Sequence, residues 1–158
     1  DWSSDVCSSD LAGSSTAARR RRMSPEAARE ELSRRADAIE GGYELMLAYA
    51  AQGLDTDQGA ANSSQLRDHL RRFETALTDL ASTYRECAAA LNVPGAEALD
   101  GLLETVDRDA RTTQSALRLV LAQPGISSQM IDNLNASIHV RALLTDVFVV
   151  DEILKHHK

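Results

Sequence analysis

The chain predicts an all-α fold, a long antiparallel up-down-up-down four-helix bundle. Three observations carry that expectation. Apolar residues recur at steps of four and three through most of residues 24–155. No segment alternates apolar and polar residues as a half-buried strand would. The second and third connections are short, and short turns make neighbouring helices antiparallel.

The first helix is expected to begin at Ser24, a good N-cap, with Pro25 in the first helical position and Glu26, Glu30 and Glu31 near the positive end of the dipole. Leu32, Ala36, Ile39, Tyr43, Met46 and Ala50 form its apolar face, and Gly53 ends it. Residues 54–64 (LDTDQGAANSS) read as the first loop. The second helix has the cleanest pattern: Leu66, Leu70, Phe73, Leu77, Leu80, Tyr84, Cys87 and Leu91 step 4-3-4-3-4-3-4, a heptad seam that Asn92-Val93-Pro94-Gly95 stops. The third helix is expected from about Ala96 to Ala122, with Leu99, Leu103, Val106, Ala110, Thr113, Leu117 and Val120 inward, and Gln123-Pro124-Gly125 breaks the chain after it. The fourth runs from Ser127 or Ser128 to about Lys155, with Ile131, Leu134, Ile138, Ala142, Thr145 and Val149 inward and Phe148 beside them.

Residues 1–22 stand apart. Asp1–Leu11 (DWSSDVCSSDL) resembles a translated sequencing adapter codon by codon, and it holds Trp2, the sole tryptophan, and Cys7, one of two cysteines. Residues 12–22 (AGSSTAARRRR) are of low complexity and run straight into Met23-Ser24-Pro25-Glu26, which reads as a natural start. The expected organisation is therefore a non-native or disordered leader over 1–22 and a single bundle domain over 23–158. The alternative makes Arg19–Arg22 a basic arm for an anionic surface.

The whole chain carries a net charge of −7. Without residues 1–22, which contain four Arg and three Asp, 13 basic and 21 acidic residues remain (17 less four and 24 less three), or −8. That balance argues against nucleic acid, whose binding needs a Lys/Arg face. With Cys87 the one credible cysteine, no internal disulfide is expected, which suits a reducing cytoplasm. The longest apolar run, Ala142–Val150, contains Thr145 and Asp146 and falls short of the roughly 20 residues a membrane span needs.

A long bundle raises the di-iron carboxylate proteins, whose site requires Glu-x-x-His on two helices. His69, His139, His156 and His157 are preceded at that spacing by Leu66, Ala136, Ile153 and Leu154, so the motif is missing; Glu152 with His156 is the nearest imitation. Haem would need a Met and a His, or two His, in the core, and Met46, Met130, His69 and His139 are the candidates. Cys87 at a seam position reads as a small buried apolar group, since its neighbours Arg85 and Glu86 offset each other. No catalytic residue, metal ligand or cofactor is assigned.

Two features stand out. Gly41-Gly42 inside a helix costs up to about 2 kcal/mol relative to alanine. The pair implies either a tolerated kink or close approach of a helix or ligand, with Gly41, Gly42, Tyr43 and Met46 the residues that would line a ligand site. The second is surplus apolar surface. Leu45, Leu47 and Tyr49 on the first helix and Leu143, Leu144, Val147 and Val150 on the fourth fall off the inner stripes, which predicts cover by the loop over 54–64 or, the favoured expectation, an interface with a second copy. Arg141 and Asp146 interrupt the latter stretch as snorkelling groups or an ion pair with Glu40 or Glu44.

The expected function is a non-enzymatic helical interaction or accessory protein of the cytoplasm. It would form a homodimer through helices one and four and bind an unidentified protein partner, with neither nucleic acid nor membrane engaged. The alternative is a small-molecule, haem or metal-binding bundle, possibly an oxidoreductase.

Overall fold

The computed structural model describes residues 23–157; the adapter-like segment, Trp2, Cys7, the Arg19–Arg22 arm and Lys158 lie outside the described residues. Six helices, not four, form the bundle among the described residues: α1 Pro25–Ala50, α2 Ser63–Ala76, α3 Leu80–Ala90, α4 Ala96–Leu121, α5 Ser128–Ala136 and α6 Ile138–His156. The four-helix reading is corrected at two breaks that the apolar period runs straight through.

α1 starts as its sequence dictates. Ser24 Oγ accepts a hydrogen bond from the Ala27 N–H (3.1 Å), and Pro25 takes the position whose N–H has no helical partner. Its buried face is Ala28, Leu32, Ala36, Ile39, Gly42, Met46 and Tyr49, so beyond Ile39 the face rotates away from Tyr43 and Ala50. Gly53 adopts a left-handed φ of +64° just past the helix end.

The second predicted helix divides at Leu77–Thr78–Asp79. Asp79 sits at φ +51°, a conformation Asp tolerates better than most side chains. The break frees backbone carbonyls, and neighbouring helices satisfy them. Arg35 Nη1 of α1 donates to the carbonyls of Ala76 (2.9 Å) and Thr78 (2.6 Å), and Gln114 Nε2 of α4 donates to that of Glu74 (2.9 Å). The seam survives: Leu66, Leu70, Phe73, Leu77, Leu80, Tyr84, Cys87 and Leu91 are all buried.

The fourth predicted helix divides at Ser137, whose extended backbone (φ −56°, ψ 128°) separates α5 from α6. Here the face does change. α6 buries Val140, Leu143, Leu144, Val147, Val150, Asp151 and Leu154, while Ile138 is 75% exposed and Val149 49%. Of the residues assigned inward beyond Ser137, Ile138, Thr145 and Val149 are therefore exposed and Ala142 is half-buried, while Leu143, Leu144, Val147 and Val150, assigned to a dimer interface, fill the core of their own chain. This overturns self-association through the first and fourth predicted helices.

α1 packs against α2, α3 and α5, and α4 packs against α2, α3 and α6, which closes the helices around one hydrophobic core. At one end, the α1–α2 and α4–α5 connections are tied together. Asp57, 1% exposed, accepts from Arg67 Nε (2.6 Å), Ser63 Oγ (3.2 Å) and the Ile126 N–H (2.8 Å). Arg67 also donates to the carbonyls of Leu121 and Gln123, both at 3.1 Å. Tyr49 Oη donates to the Ile126 carbonyl (2.6 Å), and Ser128 Oγ to that of Tyr49 (2.7 Å). No helix among the described residues is long and apolar enough to cross a membrane.

Candidate functional site

The glycine pair does not open an internal cavity. A Cβ on Gly42 would lie 2.9 Å from Phe73 Cβ, so Phe73 already fills that space and the pair lets α2 approach the bare backbone of α1. Gly41 faces the His69 ring instead, 3.8 Å from where its Cβ would be. Met46 is fully buried in the core, and Tyr43 is half-buried at its edge. The other haem candidates scatter: Met130 is 39% exposed, and His139 pairs with Asp109 (Nδ1–Oδ1 2.9 Å) between α6 and α4. No group of three or more His, Cys, Asp and Glu among the described residues could hold a metal. The haem or metal-binding alternative is corrected accordingly.

The residues predicted for an interface divide. Tyr49, Leu143, Leu144, Val147 and Val150 are buried, Leu45 is half-buried, and Leu47 alone is exposed. Cys87 is buried, and its Sγ contacts the Ala28 carbonyl (3.6 Å) and Met23 Sδ (3.8 Å). Burial pushes its thiol up to about 11, which keeps it protonated and unreactive near neutral pH.

The glycine pair does shape a site on the surface. Beside it, α1 and α2 enclose an open groove of about 470 Å³ lined by Arg34, Asp37 and Ala38 from α1 and by His69, Arg71, Arg72 and Thr75 from α2. Its charged groups stand in different states. Arg34 donates through Nε (3.0 Å) and Nη2 (2.7 Å) to Glu31, which also accepts from Arg35 Nε (2.6 Å). The Arg34 hydrogen bond, followed by the contribution of Arg35, holds the Glu31 carboxyl below the usual range against the opposing effect of burial. Arg71 meets Asp68 at 3.2 Å, with both side chains 60% exposed. Arg72 has no hydrogen bond or ion pair among the described residues, and neither does Asp37, the one carboxylate in the lining.

Guanidinium groups present forked donors that match carboxylate and phosphate oxygens, so three on one groove favour an anionic ligand group. Sequence reasoning missed this site. Its signal was present in two Arg-Arg doublets, Arg34-Arg35 and Arg71-Arg72, each on a helix of the amphipathic pattern. Comparison with protein-family models, with curated proteins and with solved structures finds no match.

Proposed function

We propose that residues 23–158 form one protein-docking domain that takes an acidic segment of a partner protein into the α1–α2 groove. The observation that carries this reading is Arg72, a guanidinium unpaired among the described residues, in a groove it shares with Arg34 and Arg71. The groove is open, and the Arg34 and Arg71 side chains are each 60% exposed. An extended peptide fits such a site better than a small molecule, which is usually enclosed by largely apolar walls. The net charge of −7 disfavours a long polyanion such as nucleic acid. A short acidic segment is different, because fields from remote charges fade over about 8 Å at physiological salt and the nearby arginines dominate. We place the protein in the cytoplasm, a reading that the buried free thiol of Cys87 supports.

Fluorescence anisotropy of labelled hexaglutamate against the full chain tests the proposal. Binding is expected to weaken with added salt, to be lost in Arg72→Glu, and to persist in Arg108→Glu, which makes the same charge change at an exposed position of α4. Equal loss in both variants, or no binding by the unaltered chain, discards the reading.

A further inference from the structure

We infer that Glu31 is a built-in competitor for the groove: its carboxylate holds Arg34 and must release it to an incoming acidic side chain. This inference rests on the docking reading above. Glu31 accepts from two arginines that are anchored very differently. The Arg35 side chain is 11% exposed and also donates to the Ala76 and Thr78 carbonyls, so it braces the break between α2 and α3. The Arg34 side chain is 60% exposed, and Glu31 is its one partner among the described residues. Exchange at Arg34 therefore leaves the brace intact and gives up one exposed ion pair. Asp68 plays a weaker version of the same part toward Arg71, with a single longer contact between two exposed side chains. Asp37 opposes any anion in the groove but binds none of its three arginines, so it raises the threshold without occupying a donor.

The arrangement predicts an order of engagement. An acidic segment meets Arg72 first, since no described residue has to be displaced there, and Arg34 joins only when a further carboxylate replaces Glu31. Segments bearing several acidic residues are then favoured over isolated ones, because each additional carboxylate brings another guanidinium into play.

The test is hexaglutamate binding to the full chain and to two variants that lose the same charge. Glu31→Gln is expected to tighten binding roughly twofold to fivefold, the range over which an exposed ion pair shifts an equilibrium. Glu30→Gln, exposed one residue away, is expected to change it far less. Circular dichroism checks that both variants keep their helicity. A second reading needs no variant at Glu31: on titrating the unaltered chain with hexaglutamate, the Arg34 Nε–H resonance should move further than that of Arg35, which keeps its bond to Glu31. Binding that is equal in the two variants, or an unmoved Arg34 resonance, overturns the competitor and leaves the groove standing. Absence of binding in the unaltered chain and in Glu31→Gln alike overturns both.

Discussion

Two regions of the bundle each bury one tyrosine and one aspartate, and they treat them in opposite ways. Tyr49 and Asp57 are 0% and 1% exposed, and Ile126 of the α4–α5 connection and Arg67 of α2 meet the phenol and both carboxylate oxygens with hydrogen bonds. Tyr84 and Asp151 are 0% and 3% exposed, yet Tyr84 Oη and Asp151 Oδ1 have no hydrogen-bond partner among the described residues. Asp151 Oδ2 meets Lys155 at 2.5 Å, but that ammonium belongs to a side chain 53% exposed. Burial, and after it the Asp151 charge, push the Tyr84 phenol up. The difference teaches that burial of a polar residue says little about its worth; what counts is whether each of its atoms is met.

The largest consequence falls on Asp57. Asp57→Ala leaves the Arg67 guanidinium without its carboxylate in a side chain 19% exposed, and should cost about 3 kcal/mol or more in urea unfolding. A loss below about 1 kcal/mol would mean that the loops rearrange and the clamp is dispensable.

Acid unfolding sharpens the contrast. The Arg67 hydrogen bonds hold the Asp57 carboxyl below the usual aspartate range, against burial, and the Ile126 N–H adds to that effect. A depressed folded value means that this stabilisation is complete above about pH 4, the unfolded value, and is lost as pH falls through the folded one. Asp57→Asn should flatten the pH dependence of the melting temperature in that window. Lys155 behaves with the opposite sign. Its hydrogen bond to Asp151 raises its value, so its contribution holds below the ordinary lysine range and fades as pH rises through the raised one.

The tyrosines give a smaller and cleaner pair. Tyr49→Phe orphans the buried Ile126 carbonyl and should cost about 1–2 kcal/mol. Tyr84→Phe removes an unpaired hydroxyl and should be neutral or raise stability by up to about 1 kcal/mol. Equal losses in thermal melts would show that Tyr84 is bonded in solution and that the two regions are alike. The smallest effect is expected at Asp151→Asn, within about 0.5 kcal/mol, because the Lys155 head it releases returns to water.

The same distinction between pattern and pairing explains what the sequence disclosed. The seam from Leu66 to Leu91 was legible because each of its residues is buried, even across the turn at Leu77–Thr78–Asp79. That turn left no period error and no Gly or Pro to announce it, and its braces, Arg35 and Gln114, come from other helices. Ser137 is harder still. α6 is apolar around most of its circumference, so Ile138, Ala142, Thr145 and Val149 fit a 4-3 stripe as well as the Val140, Leu143, Val147 and Val150 stripe that is buried. One extended residue decided between them. The groove arginines were visible as doublets, but that Arg34 and Arg72 share a groove follows from packing around Gly42, which the sequence showed only as an oddity.

The clamp at Asp57 also bears on the time course of folding. Its bonds from Tyr49, Asp57 and Ser128 join segments 77, 69 and 79 residues apart along the chain. Closing loops of that length before other contacts exist carries an entropy penalty that a few hydrogen bonds do not offset. The hairpin of α1 and α2, joined through Gly42 and Phe73, is the more local assembly and can precede it. The clamp then closes late, so loosening it should accelerate unfolding and leave the refolding rate nearly unchanged, making this end of the bundle the latch that sets how long a folded molecule stays folded.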